Sequence, residues 1–192
     1  MDNLQSKLDE IYSALEECGK HHTVRHSKEV CEKALCIYGH GSMKEKISLA
    51  CALHDVSVII PKDRWIDTCR IKGIELIAEE IELPLLAHQK LSAAVAEDKF
   101  HISDKEILSA ISCHTTLKPD ASYLDLLVFV ADKIAWDGSG LPPWLADINK
   151  GLDISLHHAA YNYMKYVTDH SLLIVPHPLF VSSYRWLSEK IN

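Results

Sequence analysis

Leu4, Leu8, Ile11, Tyr12 and Leu15 return every three or four residues, the spacing that lines one face of a helix. Gly19 follows as a natural stop. The same period predicts a second helix over about 22–38, closed by Gly39, and a third over 43–53 with Ile47, Ala50 and Leu53 on one side. Pro61 opens a loop, after which 65–81 reads as one helix. Pro84 belongs near the start of the next, where its missing N–H is tolerated. Ser103-Asp104-Lys105-Glu106 reads as a capping box ahead of Ile107, Leu108 and Ile111. Ser122 with Asp125 caps the most apolar helix, which runs through Leu127, Val130 and Ile134. Pro142-Pro143 starts a short segment, and helices over 152–170 and 180–191 complete the chain. The stretches 56–60 and 172–175 have strand-like composition, but each lies beside a proline and reads as an extended connection. With no repeat, low-complexity stretch or Pro/Gly-rich linker, the expectation is an all-α fold in a single domain over 1–192.

Composition narrows the partners. Twenty Lys and Arg against 27 Asp and Glu give a net charge of -7. Without a basic run the chain is a poor candidate for nucleic acid, whose phosphates need clustered cations. No apolar run approaches the roughly 18 residues of a membrane span, and residues 1–7 lack the charged-then-apolar pattern of an export signal. The six cysteines form no C-x-x-C pair, so they read as free, mostly buried thiols in a reducing cytoplasm. The twelve histidines remain to be explained.

His54-Asp55 comes first. Chance alone supplies about one adjacent His-Asp pair in such a chain; its position is what singles it out. It ends the apolar helix Ala50-Cys51-Ala52-Leu53, where imidazole and carboxylate can both reach one divalent ion. A histidine at the negative end of a helix is the structural alternative. His22 opens the second helix, His88 follows Leu85-Leu86-Ala87, and His114 ends the helix over 107–113 ahead of Thr115. Asp132 lies in Leu126-Leu127-Val128-Phe129-Val130-Ala131-Asp132, where a carboxylate must be paired or metal-bound, and a salt bridge to Arg25 or Lys133 serves as well as a metal. His26, one turn after His22, is placed for an outer, supporting role, and neither it nor the seven other remaining histidines is expected as a ligand. The mixture of imidazole and carboxylate suits Fe, Mn or Zn better than Mg or Ca. Six ligands exceed what one hydrolytic ion can use and suffice for two ions sharing a carboxylate.

The ordered set His22, His54-Asp55, Asp132 resembles the H…HD…D signature of the HD-domain metal-dependent phosphohydrolases. Within them the chain is most similar to the YqeK family of symmetrical diadenosine tetraphosphate hydrolases, through His22-Thr23-Val24, Ala52-Leu53-His54-Asp55, Leu86-Ala87-His88, Ile111-Ser112-Cys113-His114-Thr115 and Val130-Ala131-Asp132-Lys133-Ile134. The resemblance covers about residues 20–190 and implies an HD-type helical bundle. It implies that His22, His54, Asp55 and Asp132 hold one metal, that His88 and His114 hold a second, and that Asp55 bridges them. His54 and Asp55 would be catalytic, with Lys133 and Thr115 touching substrate. A di-metal-activated hydroxide would split diadenosine tetraphosphate into two ADP, with iron as the first choice of metal and manganese, cobalt or zinc as alternatives. A small nucleotide substrate is implied, and a homodimer is left open.

Two departures matter. The family's Lys three residues after the HD Asp is Val58 here, and the segment after Ile134, Ala135-Trp136-Asp137-Gly138-Ser139-Gly140, has no Arg. Both cations suit a phosphate grip. Their absence favours another nucleotide or phosphoester as an alternative substrate, with Lys62, Arg64, Lys118 or Lys133 as replacements. A metal- or nucleotide-binding regulatory module without turnover is the reading from outside enzymes. The stretch from Trp136 to Trp144 could line a nucleotide pocket or simply pack as a surface loop.

Overall fold

The computed structural model describes residues 2–136 and 138–191, so Asp137 lies outside the described residues. Among them there are eleven α-helices and no strand. In chain order these are α1 (Asp2–Glu17), α2 (His21–Tyr38), α3 (Lys44–Leu53), α4 (Trp65–Ile71), α5 (Ala78–Glu82), α6 (His88–Asp98), α7 (Lys105–Cys113), α8 (Tyr123–Ile134), α9 (Leu145–Leu152), α10 (Leu156–Asp169) and α11 (Pro178–Ile191). The all-α expectation holds. No helix among the described residues is long and apolar enough to cross a membrane.

α8 organises the molecule. Its capping box is the expected one: the Ser122 hydroxyl accepts from the Asp125 N–H and the Asp125 carboxylate accepts from the Ser122 N–H. Leu124, Leu127, Val128 and Ala131 pack into a core shared with α1, α2, α3 and α7, while Leu126, Phe129 and Val130 pack into a second core with α10 and α11. A helix buried on two sides must be apolar nearly all round, which is why this segment lacks a clean polar face.

Four local expectations need correction. Residues 65–81 are two helices, because Gly73 turns the chain at φ +68 and Ile74 and Leu76 pack onto the small core of Trp65, Cys69, Ala87 and Leu91. The 56–60 stretch is a 3₁₀ turn (Val56–Ile59) rather than extended: its Ser57 N–H donates to Ser92 and Val56 is buried in the main core. The span from 152 breaks at 153–155, where Ser155 caps α10. At α7 the cap is Asp104, whose side chain accepts from the Glu106 N–H. All six cysteines are free, and Cys51, Cys69 and Cys113 are buried.

Candidate metal centre

Three of the expected histidines are set by one local device. His54 and His114 are the residues just after α3 and α7, and His88 is the first of α6, following a 3₁₀ turn (Pro84–Ala87). Each sits at a helix end and turns its ring back onto the carbonyl three residues earlier. His54 Nδ1 meets the Cys51 carbonyl at 2.7 Å, His114 Nδ1 meets the Ile111 carbonyl at 2.8 Å, and His88 Nδ1 bonds the Leu85 carbonyl. A carbonyl only accepts, so each Nδ1 carries a proton and each ring turns its other nitrogen, Nε2, outward.

Those Nε2 atoms converge. His88 and His114 face each other at 2.9 Å, and His54 faces His26 at 3.2 Å. Asp55 Oδ1 lies 3.1 Å from His88 Nε2 and 3.4 Å from His114 Nε2, while its Oδ2 lies 3.6 Å from His54 Nε2. Asp132 Oδ1 is 3.1 Å from His26 Nε2 and 3.6 Å from His54 Nε2. Two ring nitrogens 2.9 Å apart beside a carboxylate oxygen need a cation between them, a proton or a metal ion. Ligands about 2.1 Å from one ion sit about 3 Å apart when adjacent, as here. The ligand atoms of His26, His54 and Asp132, and of His54, Asp55 and His114, lie within 4.8 Å of one another and could each hold an ion.

Electrostatics agree. Burial alone would lower the His54 pKa, but the carboxylates of Asp55 and Asp132 outweigh it and raise it to about 9. His114 goes the other way: burial lowers it to about 4 against the pull of Asp55. Burial would raise both carboxyls, yet His54, His114 and His88 hold Asp55 well below the usual range, and Lys133, His26 and His54 do the same for Asp132. Both therefore face the cluster as anions.

His22, expected as a ligand, is placed differently. It is exposed at the start of α2 and belongs to neither converging group, whereas His26, one turn later, is 6% exposed and takes that place. Phase along α2 separates the two: His26 shares its buried stripe with Val30 and Ala34. The salt bridge expected for Asp132 is formed with Lys133, whose Nζ lies 2.5 Å from one oxygen, while the other oxygen faces the imidazoles. Thr115 Oγ1 is 3.4 Å from His88 Nε2. Thr115 and Lys133 line a cleft of about 570 Å³ above the cluster, with Lys62, Trp65, Trp136 and Trp144 among its other walls. Arg64 and Lys118 do not line it; Lys118 bonds Ser109 and pairs with Asp125.

One supporting residue was invisible to the sequence reading. Gln89 is fully buried beside His88; its Oε1 accepts from the N–H groups of Thr115 at 3.1 Å and Thr116 at 3.3 Å, and its Nε2 donates to Thr116 Oγ1 at 3.0 Å. It ties the turn after His114 to the helix that begins at His88. Gln89→Leu leaves buried N–H groups unpaired, at about 1–3 kcal/mol of stability. It is expected to weaken divalent-ion binding about 10- to 100-fold, as loss of such a support does in metal sites. Gln89→Glu, which keeps the acceptors, should recover most of the binding. Titration calorimetry with Mn²⁺ beside thermal melts decides; unchanged affinity in Gln89→Leu sinks the role.

Residues 23–137 match the family model described as HD domain, a span that contains all six clustered residues. The chain is 38% identical over 149 residues to an uncharacterized protein in the pepC 5' region of Lactococcus lactis subsp. cremoris, covering 78% of this chain and 76% of that one. It is 29% identical over 118 residues to a symmetrical bis(5'-nucleosyl)-tetraphosphatase from Halalkalibacterium halodurans, covering 59% and 60%. Its fold matches the crystal structure of a predicted HD superfamily hydrolase involved in NAD metabolism from Clostridium acetobutylicum, with a TM-score of 0.80, 26% identity, and 95% and 97% of the two chains covered. With the family model spanning more than half its length and its His-Asp cluster inside that span, the chain belongs to the HD domain family, among the hydrolases of that superfamily.

Proposed function

We propose that the chain is a two-metal phosphohydrolase acting on a nucleotide, with diadenosine tetraphosphate, split by water into two ADP, as the first substrate to test. The observation that carries this reading is the convergence of four imidazoles and two carboxylates on the floor of an open cleft. His26, His54 and Asp132 would hold one ion, His88 and His114 the second, and Asp55 both, since its two oxygens face the two halves. Bound divalent ions supply a water of lowered pKa and neutralise phosphate oxygens; iron is the first choice, with manganese, cobalt and zinc as alternatives. On this reading His54 and Asp55 would act at the reacting centre. The protein's own part is to hold charge and exclude slack. Lys133, whose pKa is kept up by Asp132 and the Tyr163 ring's hydroxyl against burial, offers a fixed ammonium to a phosphate oxygen. Thr115 offers a hydroxyl 3.4 Å from His88 Nε2.

Val58 lines the cleft where the YqeK resemblance would put a lysine, and no described arginine lines it. That favours, as the second reading, a phosphoester carrying less charge than a tetraphosphate. The test is direct: chain loaded anaerobically with Fe²⁺, or with Mn²⁺ or Co²⁺, is expected to release two ADP per diadenosine tetraphosphate. No ADP above a His54→Ala control would remove that substrate; turnover of simpler nucleotides or phosphoesters would then establish the second reading. Binding without any turnover would point to a regulatory module.

A further inference from the structure

The cleft does not end at its metal-facing floor. A side chamber of about 220 Å³ opens beside it and shares Leu86, Thr115, Lys133, Trp144 and Tyr163 with it. At about 30 Å³ per water, the chamber holds about seven waters, room for a flat bicyclic ring but not for a whole nucleotide. Beyond the shared wall its lining is Val167, Leu172, Leu173, Val175 and Phe180, with Thr116 and His177 as the two polar members.

Both polar members are already committed. Thr116 Oγ1 donates to the Leu117 carbonyl and accepts from Gln89. His177 Nδ1 accepts from the Leu179 N–H at 3.1 Å, which puts the ring proton on Nε2, 3.3 Å from Glu80 Oε1. Glu80, fully buried, also accepts from Lys90 at 2.8 Å and from the Ile77 N–H at 3.0 Å. The indole N–H of Trp144, in the shared wall, is spent on the Lys133 carbonyl at 2.8 Å. The His177–Glu80 contact ties the segment between α10 and α11 to α5, and the Leu172 N–H ties it to the Val167 carbonyl. The chamber is therefore fixed by its own bonds; beyond the shared wall its described side chains offer apolar surface and ring faces, and their polar groups are already paired, while the ammonium of Lys133 and the hydroxyls of Thr115 and Tyr163 lie in the wall shared with the phosphate-facing cleft.

We infer that this chamber seats the base of a nucleotide whose phosphates lie over the metal cluster, and that it holds the base by stacking and apolar contact without reading its hydrogen-bonding edge. The inference rests on the phosphohydrolase reading and adds a specificity: the enzyme distinguishes nucleotides from bare polyphosphate but not one base from another. Sites that select a base do so by pairing buried polar groups with its edge, whereas stacking accepts every base.

The test compares kcat/KM of the metal-loaded chain for diadenosine, diguanosine, diuridine and dicytidine tetraphosphates, with inorganic tripolyphosphate as the baseless control. The four dinucleotides are expected within about tenfold of one another, each at least about tenfold better than tripolyphosphate. Leu173→Trp, which fills the chamber, should cut the nucleotide-to-tripolyphosphate ratio at least tenfold, and Val167→Phe should do the same from α10. A hundredfold preference for one base, or an unchanged ratio in both variants, overturns the inference. If neither nucleotide nor tripolyphosphate is turned over, the phosphohydrolase reading fails separately. Calorimetric titration with ADP, GDP, UDP and CDP then decides the chamber: similar affinities weakened by Leu173→Trp uphold it, and affinities indifferent to that substitution overturn it.

Discussion

Asp55→Asn is expected to leave the fold intact, reduce bound metal from about two ions per chain to one or fewer, and lower hydrolysis by at least about 1,000-fold, or 4 kcal/mol of barrier. The residue's two oxygens face different halves of the cluster: Oδ1 lies 3.1 Å from His88 Nε2 and 3.4 Å from His114 Nε2, and Oδ2 lies 3.6 Å from His54 Nε2. Asn keeps the volume and one carbonyl oxygen but turns the other into an NH₂ donor. That donor can satisfy an imidazole lone pair, which spares the fold, but it cannot bind a cation. The anion that balances two divalent charges is lost as well. Elemental analysis after anaerobic loading, a thermal melt and an activity assay read the three effects separately. Full metal content with activity within threefold of the parent would remove Asp55 from the centre; a collapsed melt alone would recast it as a structural residue.

How much of this centre the sequence betrays follows from burial. His54, Asp55, His88, His114 and Asp132 each interrupt or end an apolar helix, and a polar residue so placed advertises itself. His22 and His26 are four apart, so both point along one helix side. Only the phase of Val30 and Ala34 separates the exposed residue from the buried one. Gln89 carries no signal because its partners, the N–H groups of Thr115 and Thr116, are distant in sequence and backbone groups leave no mark on composition. The same divide holds for the fold. The capping box at Ser122 and the stop at Gly39 are local chemistry and are found as expected. The turn at Gly73 and the 3₁₀ geometry of Val56–Ile59 answer to tertiary packing, around Trp65 in one case and under α6 in the other, which overrides local preference.

Metal affinity is expected to climb about tenfold per pH unit between about pH 7 and 8.5, with close to one proton released per chain as the cluster fills. The sign follows from His54. In the metal-free chain Asp55 and Asp132 hold its pKa at about 9, so near neutrality it carries a proton that stands where an ion would bind. An ion needs the Nε2 lone pair and must expel that proton, which becomes tenfold easier with each unit of pH below 9. His114 adds no slope in this window: with its pKa lowered to about 4 it is already neutral. Neither does Asp55 or Asp132, since both are held well below the usual carboxyl range and stay ionised. Calorimetry with Mn²⁺ in buffers of differing ionisation enthalpy measures the released proton directly. Competition with a chelator of known pH dependence measures the slope. A flat affinity, or no proton released at pH 7.5, would mean that His54 is not the imidazole an entering ion displaces a proton from. The same balance explains how a chain of net charge -7 can address polyphosphate. At neutral pH and without metal, the carboxylates of Asp55 and Asp132 take up the positive charge of His54 and Lys133. Two divalent ions add positive charge at the floor of the cleft, so phosphate binding should follow metal loading and share its rise with pH.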